Sequence, residues 1–172
     1  DPFLPFGQTH SGANVVILLD TSGNMKANDY TPSRFLFARE FALDLIESLD
    51  NSHNVGVITF DESASVVAFL TPDKQRIVNE IMRNIERSNG RTSLSGGLTL
   101  AIEMASSVEK INGFIVLISD GENDLPTKLS INQLIEIANE KNVKIFSVGV
   151  GSHNPHSLDE DVYGVTKYAY LN

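Results

Sequence analysis

The sequence contains no cysteine, which removes disulfide scaffolds, thiolate zinc sites, CxxC redox pairs and cysteine nucleophiles together. It also has no long apolar run: Val15–Leu19 and Phe114–Ile118 are five residues each, whereas a membrane-spanning helix needs roughly twenty. Basic charge is short, with 13 Lys and Arg against 22 Asp and Glu and a net charge of -9. Such a surface repels phosphate backbones and anionic headgroups and attracts cations and basic partners, so nucleic acid is not an expected ligand. The opening residues, Asp1 to Gly7, lack the basic start and apolar core of a signal peptide and read as an excised or processed piece. What remains is 172 residues with 41% hydrophobic content, enough for one domain with a substantial core, and no repeat or linker divides it.

Four short runs, Val15–Leu19, Val55–Phe60, Phe114–Ile118 and Val143–Val148, are β-branched and apolar without strict alternation, the pattern of strands covered on both faces. Helical spacing lies between them. Phe35, Ala38, Ala42, Leu45 and Leu49 follow Thr31-Pro32, read as an N-cap with proline at the first helical position; Thr71-Pro72 repeats the signal before Ile77, Ile81 and Ile85. Leu94, Leu98, Ile102 and Ala105 mark a third helix, and Ile131, Leu134, Ile135 and Ala138 a fourth behind the capping box Ser130-x-x-Gln133. Phe35, Phe37 and Phe41 read as core. Ser65–Leu70 follows Val55–Phe60 after a turn too short for a crossover helix, so that pair is expected to be an antiparallel hairpin. Right-handed crossovers elsewhere predict a three-layer open α/β sandwich: a mostly parallel sheet, one antiparallel edge strand and helices on both faces.

In open α/β sheets ligands sit at the carboxyl ends of strands where the winding direction reverses. Asp20 ends the first strand and Asp120 the strand Phe114–Ile118. If the chain winds outward one way and then returns to the other side of strand one, these carboxylates become neighbours and repel unless a cation lies between them. Ser22, Asn24 and Thr92 add hard oxygen donors with no histidine or sulfur at the matching positions, a set that selects magnesium, manganese or calcium over zinc or copper.

Three separated segments, Asp20-x-Ser22-x-Asn24 after an apolar strand, Gly90 to Leu98, and Ile118-Ser119-Asp120-Gly121, resemble the von Willebrand factor A domain over roughly residues 14–151. Residues 1–13 then form an N-terminal extension and 152–172 a C-terminal segment, a possible truncated end of the same domain. The resemblance implies a metal-ion-dependent adhesion site. Ser22, Asn24 and Thr92 would coordinate the ion, with Asp20 and Asp120 acting directly or through water, and the usual ligand would be an acidic side chain of a protein partner. Magnesium is the implied ion, with manganese or calcium as alternatives. Thr31-Pro32-x-Arg34, Val57-Ile58-Thr59-Phe60 and Asp120-Gly121-Glu122-Asn123 look like the bacterial Bat-type, aerotolerance-related proteins. That closer likeness implies the soluble part of a membrane-tethered protein that acts beside MoxR-type ATPases or other Bat-type subunits.

The sequence departs from the family at Asn24, where serine is usual; its amide oxygen still suits a hard ion, and a weakened but surviving site is expected. Glu122 and Asp124 read as solvated turn acids, Arg91 as a solvated arginine, and His153 and His156 as loop residues split by Pro155. Catalysis is not expected. A haloacid-dehalogenase-type phosphohydrolase needs a second carboxylate two residues after Asp20, where Ser22 stands, and there is no GxSxG elbow, GxxxxGK[ST] loop or GxGxxG turn. A structural scaffold with a lapsed metal crevice is the other alternative.

Overall fold

The computed structural model describes residues 12–27, 31–108, 111–123, 125–126 and 128–151. The elements are β1 (Asn14–Asp20), α1 (Arg34–Ser48), β2 (Asn54–Phe60), β3 (Ala64–Thr71), α2 (Lys74–Asn84), α3 (Leu94–Ala105), β4 (Gly113–Ser119), α4 (Ile131–Glu140) and β5 (Val143–Gly149), with a 3-10 turn at Gly23–Lys26. The expected strands and helices are present, each within a residue or two of its apolar run. The C-terminal segment, with His153, His156 and the tyrosines at 163, 168 and 170, lies outside the described residues, as do Asp124 and the first eleven positions.

The sheet has the order β3-β2-β1-β4-β5. β1 pairs in parallel with β2 on one side and with β4 on the other, β4 pairs in parallel with β5, and β2–β3 is the antiparallel hairpin. The winding therefore reverses at β1, which sets Leu19 opposite Ile118 and brings Asp20 and Asp120 to adjacent strand ends.

Side-chain alternation along β1 fills both faces. Val15, Ile17 and Leu19 join Phe35, Ala38, Ala42, Leu45 and Ile46 of α1 and Ile77 and Ile81 of α2 in one core. Val16 and Leu18 join Leu98, Ala101 and Ile102 of α3 and Leu134 and Ala138 of α4 in the other. All seven residues of β1 are buried, which is why its run reads apolar rather than alternating. Phe37 and Phe41 pack against the first core, as their spacing predicts.

Two helix starts lie further along than the sequence suggests. The Thr31–Pro32 peptide is cis and both residues precede α1. Ser33 is the N-cap, its hydroxyl accepting from the Leu36 amide at 3.2 Å. In α2 the cap is Asp73, whose carboxylate accepts from the Arg76 amide at 3.0 Å. Each hydroxyl or carboxylate that reaches the third helical amide takes the capping role, and the Thr-Pro pair precedes it. The capping box of α4 forms as read: Ser130 Oγ accepts from the Gln133 amide at 3.3 Å and Gln133 Oε1 accepts from the Ser130 amide at 2.9 Å.

α3 approaches the sheet closely at Gly97, where a Cβ would stand 2.9 Å from Phe60 Cγ and 3.2 Å from Leu18 Cδ1. Both neighbours are buried, so neither has room to retreat. Gly97→Ala is expected to destabilise the fold by about 1–3 kcal/mol through overpacking, read by denaturant unfolding; a gain in stability would mean the helix has slack to move off the sheet. Among the described residues no helix is long and apolar enough to cross a membrane.

Candidate metal centre at the switch point

Backbone hydrogen bonds draw the loops together at the carboxyl end of the sheet. The Gly23 amide donates to Gly90 O at 2.9 Å and the Ser88 amide to Thr21 O at 2.8 Å, which locks the loop after β1 against the loop before α3. The Leu125 amide donates to Thr92 O at 3.2 Å, and the Leu94 amide to Asn123 Oδ1 at 3.2 Å, which ties that second loop to the one after β4. Gly121 turns this third loop at a φ of 88°, a conformation that L side chains rarely adopt.

Asp20 is fully buried. Its Oδ1 accepts from the Ser22 amide at 2.9 Å and its Oδ2 from the Ser119 hydroxyl at 2.7 Å. Ser119 Oγ accepts in turn from the Gly121 amide at 3.0 Å, so one hydroxyl orients both the carboxylate and the next loop. Even so, burial first and the Asp120 charge second push the Asp20 carboxyl from 3.8 up to about 7, against the lowering effect of the Ser22 and Ser119 donors. The crevice is therefore short of positive charge at Asp20.

Asp120 is also buried. Its Oδ1 accepts from the Glu122 amide at 3.2 Å, and its Oδ2 pairs with the Arg34 guanidinium at 3.1 Å. Arg34 opens α1 and is a buried cation of the crevice.

Ser22 Oγ and Thr92 Oγ1 are buried and, among the described residues, have no partner in hydrogen-bonding geometry. Ser22 Oγ lies near enough to Asp20 to lower its pKa as a donor, but outside strict hydrogen-bonding geometry. Two orphaned hydroxyls in one crevice are unusual, because each carries the desolvation penalty of an unmade bond. Both belong to the donor set read from the sequence. Asn24 sits on the 3-10 turn, partly buried, with its Nδ2 donating to Glu122 Oε2. Arg91 is exposed, as expected.

The five predicted residues thus lie on three interlocked loops. Among the described residues no three His, Cys, Asp or Glu side chains cluster as a metal site; the donors are two carboxylates with neutral oxygens. That set suits a hard divalent ion, and the orphaned hydroxyls supply the ligand atoms it would need. Sequence reasoning missed two participants. Arg34 precedes Ala38 and Ala42 at helical spacing, on the buried stripe of α1. Glu122 takes the Asn24 amide rather than standing free as a turn acid.

The fold is an open, doubly wound α/β domain whose switch point lies between β1 and its neighbours. The chain belongs to the von Willebrand factor type A domain family, whose pattern matches residues 14–161. An uncharacterized protein of Borreliella burgdorferi is 30% identical over 153 residues, 87% of this chain and 44% of that protein. The chain thus spans less than half of that relative. Among solved structures, the conserved hypothetical protein BatB of Bacteroides thetaiotaomicron is 28% identical with a TM-score of 0.75, over 92% of this chain and 75% of that one. An aerotolerance-related membrane protein of Bacteroides fragilis, 24% identical, has a TM-score of 0.71 over 87% and 74%. These similarities bear out the Bat-type resemblance. At the level of fold, proximal thread matrix protein 1 of the mussel byssus, whose structure has a zinc-occupied MIDAS motif, is 21% identical with a TM-score of 0.70 over 83% and 36%.

Proposed function

We propose that this domain is a non-catalytic binding module in which a divalent cation, held by Ser22, Asn24, Thr92, Asp20 and Asp120, recruits an aspartate or glutamate of a partner protein. The observation that carries the reading is that, among the described residues, the buried hydroxyls of Ser22 and Thr92 reach no partner in hydrogen-bonding geometry, while burial has raised the pKa of Asp20 to about 7. Each is costly alone, and a single hard cation would relieve all three.

The cation, when bound, supplies an electrophilic coordination position that a partner carboxylate can fill. The chain's own residues do the rest. Ser119 and the Ser22 amide fix the Asp20 carboxylate, and Gly121 lets the third loop fold back on Ser119. Magnesium is the proposed ion, with manganese and calcium sharing its preference for oxygen. Ser22 stands where a haloacid-dehalogenase-type site carries its acid/base carboxylate, so that reaction pattern is incomplete at this position. The Bat-type resemblance directs the search for the partner to a MoxR-type ATPase or a further Bat-type subunit.

The opposing reading, a scaffold with a lapsed site, is favoured by the internal partners that Asn24 and Asp120 already have in Glu122 and Arg34. Thermal unfolding of wild type and Ser22→Ala/Thr92→Ala, in EDTA and in excess magnesium, separates the two. Ligand binding to the folded state stabilises by RT ln(1 + [L]/Kd), so wild type is expected to gain stability with magnesium. The double variant is expected to lose that gain while matching or exceeding wild type in EDTA, since it removes two unsatisfied hydroxyls. Equal melting of wild type with and without magnesium or manganese would support the scaffold. Divalent-dependent retention on acidic peptides, absent with Ala-substituted controls, tests the carboxylate half.

A further inference from the structure

Arg34 has no place in the donor set, yet it is buried and paired with a carboxylate of the crevice. Its side chain is 3% exposed, its Nη1 lies 3.1 Å from Asp120 Oδ2, and its backbone amide donates at 2.8 Å to Ala27 O, at the end of the 3-10 turn that carries Asn24. Burying a guanidinium is expensive unless a fixed carboxylate meets it. Asp120 is fixed on its other side by the Glu122 amide at 3.2 Å. Among the described residues, Arg34 meets the Asp120 carboxylate, which in turn acts on Asp20.

We infer that Arg34 is a built-in counter-ion for the crevice, holding Asp120 when no divalent ion is bound and competing with the ion for the same carboxylate, so that Arg34 sets the metal affinity of the site. The inference rests on the cation reading above and adds a residue that the donor motif does not contain. Its logic is electrostatic. With the guanidinium in place the crevice folds without metal, because one of the two carboxylates already has a positive partner. An arriving cation then meets a carboxylate that is already paired and a positive charge that repels it. Ion binding alone is thereby weakened, and an incoming acidic side chain becomes worth more, since it restores the negative charge that Arg34 and the cation jointly lack. Arg34 also opens α1, so a shift at Asp120 is passed to that helix and, through Ala27, to the turn bearing Asn24.

Manganese titration of wild type, Arg34→Gln, Arg34→Lys and Ser22→Ala/Thr92→Ala, each followed by unfolding in EDTA and in magnesium, tests this. Arg34→Gln keeps hydrogen-bonding capacity and removes the charge. It is expected to bind manganese roughly ten- to a hundredfold more tightly than wild type, the range that one charge-assisted hydrogen bond spans. It should also be less stable than wild type in EDTA and recover more with magnesium. If Arg34→Gln does not fold in EDTA, Arg34→Lys serves as the readout: it keeps the charge, loses the guanidinium fork, and should bind about severalfold more tightly. Tighter binding by Arg34→Gln when wild type binds none would be the strongest support. Unchanged or weaker binding by a folded Arg34 variant, with wild type and the hydroxyl control behaving as proposed, overturns this inference alone. No manganese binding by any variant overturns the cation reading and this inference with it.

Discussion

Asp120→Ala is expected to destabilise the fold by about 3 kcal/mol at neutral pH, a loss that magnesium does not restore. Removing one member of a buried ion pair typically costs about 3–5 kcal/mol, because the remaining charge keeps its desolvation penalty and loses its compensation. Arg34 and Asp120 are both buried, with side-chain exposures of 3% and 2%. The lower end of the range is appropriate, since Asp120 also raises the pKa of Asp20, and its removal relieves that repulsion. A cycle with Arg34→Met and Asp120→Leu checks the assignment by denaturant unfolding. The double variant should be considerably less destabilised than the sum of its singles, with a coupling of about 1–3 kcal/mol. Additive losses would mean that the pair does not form in solution. Asp120→Ala removes a proposed metal donor and breaks the Arg34–Asp120 pair at once, so its effect on binding mixes the two roles. Ser22→Ala and Thr92→Ala leave the ion pair in place and isolate the donors.

The layered architecture was legible because β1 is buried along its whole length and each helix shows one apolar stripe at regular spacing. The short β2–β3 turn marked the antiparallel hairpin, whereas the reversal at β1 was only a condition in the sequence reading, because crossover handedness fixes the face a helix covers and not the side on which β4 is added. With that topology in hand, two aspartates at strand ends were enough to locate the crevice. The caps were less legible. Thr31-Pro32 and Thr71-Pro72 are plausible starts on local preference, but Ser33 and Asp73 stand where a side chain reaches the third amide. Arg34 was hidden for a different reason. Its helical spacing marks the buried face, but a charge on that face is tolerable only once a distant carboxylate is known to meet it, and Asp120 lies 86 positions away. The Asn24–Glu122 contact likewise joins positions 98 apart and depends on the third loop's turn at Gly121.

In the absence of divalent ions the stability of wild type relative to Asp20→Asn is expected to decline as pH rises from about 4 to about 7. Asp20 titrates near 3.8 when exposed and near 7 in the fold. Between those values the folded state holds more protons than the unfolded state, so unfolding stability falls with increasing pH. Below 3.8 the carboxyl is neutral in both states and burial carries no ionic penalty; above 7 it is charged in both and the penalty is complete. Asp20→Asn has no such penalty at any pH, although it forfeits a charge-assisted bond from Ser119. Its stability relative to wild type should therefore climb through this window. Asp50, held below its ordinary range by the Ser52 amide, contributes the opposite slope in acid, but it is present in both proteins and cancels in the comparison. Magnesium supplies the decisive contrast. A cation beside Asp20 favours the ionised carboxylate, so at saturating magnesium the decline should flatten in wild type and remain absent in Asp20→Asn. Melting temperatures of both proteins from pH 4 to pH 8, in EDTA and in magnesium, provide the measurement. A wild-type decline that magnesium leaves untouched would show that the buried carboxylate and the ion do not share a site.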